Sequence, residues 1–194
     1  MFLKIGRQPD HTFAEPLGLL SDCHRRIEHF LSVLIAITER AGGGLLDADE
    51  RAQFVGALSY FATAAPRHTA DEEESLFPRL KSSNDPEATE VLAAVDRLED
   101  DHAEASDHHA TIDRCVRQWL AAGALPPHDL RSLQERLGRL SALYRTHIGI
   151  EDRQVFPAAA RILSAGAIEE IGREMAARRR RPWQGDHPPH PDHP

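Results

Sequence analysis

Apolar residues recur along this chain at alternating steps of three and four, over four long stretches. The first places Leu17, Leu20, His24, Ile27, Leu31 and Leu34 in one file. The second gives Phe54, Leu58, Phe61, Ala65, His68, Glu72 and Leu76. The third runs through Val91, Val95, Leu98, His102, Ala105, His109, Ile112, Val116 and Trp119. The fourth runs through Leu130, Leu133, Leu137, Leu140, Tyr144, His147 and Glu151. An α-helix turns once in 3.6 residues, so each file lines one helical face that must be buried. Strand-like alternation is absent, and an all-α chain is expected.

Local punctuation sets the predicted limits. Pro16 opens the first helix and Ala41-Gly42-Gly43-Gly44 closes it. Asp47-Ala48-Asp49-Glu50 reads as a capping box for the second, which runs towards Phe77-Pro78. Pro66 should bend that helix or remove one of its hydrogen bonds. Asn84-Asp85-Pro86-Glu87 caps the third, which reaches Gly123 without a breaker. Pro126-Pro127 opens the fourth, which ends near Ser164-Ala165-Gly166. Short connections make neighbours antiparallel, so the expected fold is an up-down-up-down four-helix bundle. A short extra C-terminal helix over residues 168–180 should lie against it. The expected domain is 1–180, followed by a disordered His/Pro-rich tail at 181–194, too poor in apolar groups to pack.

The buried files carry chemistry that a packing helix would not choose. Each is interrupted by histidine, and two place glutamate one turn after it. A buried carboxylate without a partner costs several kcal/mol, so something positive must sit near Glu72 and Glu151. The second and fourth helices also repeat one another. His68-Thr-Ala-Asp-Glu72-Glu-Glu-Ser-Leu-Phe77-Pro78 parallels His147-Ile-Gly-Ile-Glu151-Asp-Arg-Gln-Val-Phe156-Pro157. The first and third helices add His24 and His102. These are 78 residues apart, against 79 for His68 and His147, which is the spacing of a duplicated helix pair.

Residues four apart on a helix lie on one face, about 6 Å from each other. A His-x-x-x-Glu pair can therefore hold one ion through imidazole and reach a second through the carboxylate. Two facing pairs, completed by His24 and His102, give four imidazoles and two bridging carboxylates for two ions. An oxo or hydroxo bridge would bring each ion to about five ligands and leave one octahedral position open. Imidazole and carboxylate without thiolate suit iron, with manganese and zinc as alternatives. The spacing does not say which histidines share an ion.

The order His24, His68 to Glu72, His102, His147 to Glu151 resembles the hemerythrin-like, or HHE cation-binding, family. The run Glu73 to Pro78 is similar as well, and the resemblance spans roughly residues 10 to 180. It implies a non-haem protein with two Fe ions and an oxo or hydroxo bridge. Such a protein binds or reacts with a small diatomic or peroxide ligand (O2, NO or peroxide) at an open iron position. Catalase-like peroxide or nitric oxide scavenging would make it an enzyme. The alternatives are an oxygen- or iron-responsive sensor without turnover, iron delivery, or iron–sulfur repair; the bland one is a structural zinc bundle. Reversible oxygen carriers have a further histidine four residues after the third-helix one. Ser106 stands there, which points to the type with four histidines and two carboxylates. The ferritin-like solution needs Glu-x-x-His on two helices, and the motif occurs once, at Glu99 to His102.

Composition narrows the rest. A formal net charge of −8 gives no attraction for nucleic acid or anionic membranes. No run of about 18 apolar residues predicts a membrane span, and the first seven residues are too short and polar for a signal peptide. Cys23 and Cys115 form no C-x-x-C pattern, which fits a reducing cytosol, so a cytoplasmic location is expected. No protein partner is legible. Tyr144, one turn before His147, could donate a hydrogen bond to a bound ligand or sit as a core tyrosine bonded to backbone. His109 reads as a core histidine or a support for the ligands. His29 and His108 fall off their files and are expected at the surface, and His11 and His128 have no assigned role. Glu73 and Glu74 are expected to be solvated, Cys23 to pack, and the basic run from Arg178 to cap the last helix.

Overall fold

The computed structural model describes residues 10–180; the tail at 181–194 and the N-terminal segment read for a signal lie outside the described residues. Every described element is helical. α1 (Pro16–Ala41) starts with proline in its first turn, where the missing N–H costs nothing. It stops at Gly42, whose φ of +55° lets its N–H reach the Thr38 carbonyl. Gly43, at φ +82°, brings its backbone against the next loop but one. Its carbonyl accepts from Leu125 N–H at 2.8 Å, while the Gly44 carbonyl accepts from the Trp119 indole at 2.8 Å. These two bonds tie both loops at one end of the bundle together.

The second rod is built of pieces. α2 (Ala48–Thr63) starts on the expected capping box: Asp47 accepts from Glu50 N–H and Glu50 accepts from Asp47 N–H, both at 2.8 Å. Removing the Asp47 carboxylate by Asp47→Ala should cost about 1 kcal/mol, or roughly 2–4 °C in Tm, read in a thermal melt. Pro66 interrupts the hydrogen-bond ladder as expected, and α3 (Ala65–Asp71) follows. A π turn then covers Glu72–Leu76 before α4 (Phe77–Lys81). The third rod is α5 (Pro86–Ala122), capped by Asp85 and ended by Gly123 at φ +77°. The fourth is α6 (Pro127–Ile150), a second π turn (Glu151–Val155) and α7 (Phe156–Ile162). α8 (Ala165–Arg180) begins three residues before the expected start, because Ser164 Oγ accepts from Ala167 N–H at 3.2 Å.

The π turns were not legible as such, but their cause is. An α-helical proline clashes with the carbonyl four residues earlier and cannot donate to it. Pro78 and Pro157 each lie six residues after a glutamate, directly behind a phenylalanine. The helix widens instead, so that Phe77 N–H bonds Glu72 O and Phe156 N–H bonds Glu151 O. Each widened turn therefore begins at the glutamate of a His-x-x-x-Glu pair, a placement typical of functional sites.

The rods pack in a ring, α1 on α2, α2 on α5, α5 on α6 and α6 on α1, as in the expected bundle. Two apolar clusters fill it. One holds Leu34, Phe54, Ile112, Trp119, Leu133 and Leu137 at the stitched end. The other holds Leu20, Leu76, Phe77, Val95, Leu98, Val155 and Phe156, closed by Ile171 and Met175 of α8. α8 lies against α1, α3 and the first π turn. The histidine and glutamate layer falls between the two clusters. His108 corrects the surface expectation: it is only 3% exposed, with Nδ1 3.3 Å from Arg136 Nη1. Residue 108 lies three after Ala105 and four before Ile112, so it shares their face. The apolar stripe of α5 is wider than a single file. No helix among the described residues is long and apolar enough to cross a membrane.

Candidate metal centre

All six residues singled out by spacing converge in that middle layer. Glu72 and Glu151 have no exposure at all, and His24, His68 and His147 are buried with at most 4% exposed. The Nε2 atoms of the four histidines point at the carboxylates. Glu72 Oε1 faces His24 and His68 at 3.7 and 3.4 Å, while its Oε2 faces His102 at 3.4 Å. Glu151 Oε2 faces His24 and His147, each at 3.1 Å. The imidazoles fall into two pairs, His24 with His68 at 4.9 Å between ring centroids and His102 with His147 at 4.7 Å. Each pair forms a compact ligand-grade group with both glutamates. The structure thus sorts the histidines, which spacing left open.

None of these imidazole–carboxylate contacts has hydrogen-bond geometry. Both oxygens of Glu72, both of Glu151 and Nε2 of His24 are buried without a hydrogen-bond partner among the described residues. No Lys or Arg among the described residues pairs with either glutamate. Two carboxylates in the centre of a bundle, aimed at one another's imidazoles, are a donor set that divalent cations complete. The residues fit the group that the chemistry calls for.

The surroundings hold the rings. His102 Nδ1 is 2.8 Å from Glu73 Oε1, His24 Nδ1 is 3.0 Å from Asp152 Oδ1, and His147 Nδ1 is 3.4 Å from Asp101 Oδ2. Glu73, expected to be merely solvated, is therefore a partner of His102. Burial tends to lower the His102 imidazole, but contacts with Glu72 and Glu73 outweigh it and push it up to about 10. Burial pushes His68 down to about 4 against the pull of Glu72. Glu99 points elsewhere, to Lys81 at 2.8 Å, which removes the one ferritin-like motif from the site.

Tyr144 is 8% exposed, and its hydroxyl meets His109 Nε2 at 2.8 Å rather than backbone. Burial pushes the phenol up and, helped by His108, pushes His109 down to about 4. A neutral phenol and a neutral imidazole thus share one proton contact. Beside them lies a cavity of about 220 Å³ lined by Phe61, Ala65, Pro66, Thr69, His102, Ala105, Ser106, His109 and Tyr144. A small pocket lined by all four site histidines adjoins it through Ala65, Thr69, His102 and Tyr144. Ser106, where oxygen carriers place a further histidine, is part of the wall of the larger cavity.

On the other side of the layer, Asp71 has no exposure and is held by α8. Arg178 Nη1 donates to Asp71 Oδ1 at 3.0 Å and Arg179 Nη2 to Asp71 Oδ2 at 2.7 Å. Arg178 also donates to Ser75 Oγ at 2.8 Å and to Glu74 at 3.1 Å. The basic run was expected only to cap its own helix. Asp71 and Ser75 flank Glu72, so α8 clamps the first π turn.

Comparison with known proteins agrees with this geometry. The family model described as the hemerythrin HHE cation binding domain matches residues 15–159. An uncharacterised protein of Haemophilus influenzae is 28% identical over 172 residues, covering 87% of this chain and 92% of its own length.

Proposed function

The chain belongs to the hemerythrin HHE cation-binding family, and on that footing we propose that it holds two iron ions and reacts there with O2, NO or peroxide. His24 and His68 would ligate one ion, His102 and His147 the other, with Glu72 and Glu151 bridging. The observation that carries this reading is the set of buried carboxylate oxygens that no group among the described residues satisfies. When bound, the iron pair supplies the electrons exchanged with the ligand. The chain does the rest. The cavity beside His102 admits a molecule of a few heavy atoms and leads to the small pocket at the imidazoles. Phe61, Ala65, Pro66 and Ala105 give its wall an apolar side along which an uncharged ligand can approach. If His109 Nε2–H donates to the Tyr144 oxygen, the phenol O–H is free to turn into the pocket and donate to the ligand.

Peroxide consumption and oxygen evolution by the iron-loaded chain test the reaction; an iron-loaded chain that leaves peroxide, O2 and NO untouched would contradict it. Tyr144→Phe removes the one phenol that lines both spaces. It should slow turnover about tenfold to a hundredfold, the worth of one hydrogen bond to a charged group, while leaving metal content intact. An unchanged rate would return Tyr144 to a packing role.

A second reading has its own observation. Asp71 and Ser75 hold α8 through Arg178, on either side of Glu72. A change of ligand or metal at Glu72 would reach α8 through one turn of backbone, as a sensor requires. Binding without turnover, together with altered protection of α8 from hydrogen exchange, would favour it.

A further inference from the structure

We propose that the two cation positions are unequal: the one flanked by His24 and His68 exchanges its ion, and the one flanked by His102 and His147 retains it. The proposal rests on the two-ion reading above. It comes from the far ring nitrogens. A ligating imidazole is oriented and made more basic by the partner of its other nitrogen. His102, His24 and His147 each have a carboxylate there, from Glu73, Asp152 and Asp101. Asp152 is itself held by Ser21 Oγ at 2.8 Å. His68 Nδ1 is buried and has no hydrogen-bond partner among the described residues.

The duplication in the sequence explains where the missing partner should have been. Glu73 and Asp152 occupy equivalent places, one after each glutamate, and each serves the histidine of a neighbouring rod. Asp101 precedes His102 and serves His147. The equivalent residue for His68 is the one preceding His24, and it is Cys23. Cys23 is buried, and its sulfur accepts from Arg26 Nη2 at 3.0 Å instead. The symmetry is thus broken at one residue pair, Cys23 and Asp101. One position has two supported imidazoles, the other one supported and one loose. The larger cavity touches His102 and not His68, so the retained ion is the one that faces incoming ligand. Departure of the exchangeable ion would leave a one-ion form that still holds the position next to the larger cavity.

The test is release of a diamagnetic divalent ion. The full chain, loaded with two equivalents of zinc, is titrated with a chelator while native mass spectrometry counts ions per chain. Nitrogen-15 spectra of the imidazoles report which histidines are freed. The proposal expects two steps separated by about ten- to a hundredfold in chelator activity, with His24 and His68 freed in the first. Asp101→Ala should merge the steps by loosening the second. Cys23→Asp should merge them by tightening the first, since it supplies the carboxylate that His68 lacks. Release of both ions in one step from the native chain overturns the proposal but leaves the two-ion reading intact. So does release of His102 and His147 first, or an Asp101→Ala variant whose steps stay as far apart as before. A chain that never takes up two ions overturns the underlying reading instead.

Discussion

Glu72→Ala is expected to take the metal content from two ions per chain towards none. Its two oxygens face different imidazole pairs, so the substitution removes a ligand from both positions at once. Loss of either histidine of a pair would spare the other pair; loss of this carboxylate spares neither. The effect on stability follows from linkage. An ion present at a thousand times its Kd stabilises the fold by about 4 kcal/mol. For a chain of this size that is roughly 10 °C of Tm per ion, and the variant should lose both contributions when the two proteins are melted in the presence of metal. The remaining carboxylate, Glu151, is left buried with fewer compensating groups, which adds to the loss. Elemental analysis and a thermal melt check both parts. A Glu72→Ala chain with full metal content would refute the ligand assignment.

The second large effect belongs to the clamp. Arg178→Ala combined with Arg179→Ala should destabilise the chain by about 3–5 kcal/mol, because it leaves the fully buried Asp71 carboxylate without its cations. Either arginine alone should cost less, since the other still reaches Asp71. The pH dependence has a definite sign. Burial pushes Asp71 above its ordinary value even with both arginines beside it. The folded chain therefore binds this proton more readily than the unfolded chain, and the Asp71 contribution to stability falls as pH rises through that window. Removing the arginines widens the window upward. The stability gap between variant and native chain should be largest near neutrality and narrow as pH falls. Asp71→Asn in the double-variant background should recover part of the loss. Melts over a pH series decide it; a gap that is flat with pH would mean that Asp71 is not the group left unpaired.

What could be read in advance depended on the range of the interaction. The files of apolar residues, the Asp47 capping box and the Pro86 and Pro127 starts are local, and each was legible. The convergence of the six histidines and glutamates was legible too, because identical spacing on two helices fixes both their face and their level. The pairing of His24 with His68 was not, since it depends on how the rods are arranged around the ring. The π turns were hidden because they redistribute backbone hydrogen bonds without changing which residues face inward. Their signal was the matched distance from glutamate to Phe-Pro. Asp71 and its arginines are more than a hundred residues apart in the chain, and nothing near either one announces the other. The Tyr144–His109 contact joins two files that sequence can only treat separately. His108 was misplaced by taking a helix face as one file wide.

The most direct test of the account is metal per chain, measured together with the near-ultraviolet and visible spectrum of protein purified and reconstituted with ferrous iron. The account predicts two irons per chain and, after exposure to air, an oxo-bridge absorption band in the near ultraviolet. One zinc, or no bound metal under conditions where the bundle is folded, would contradict it and leave only the helical architecture standing.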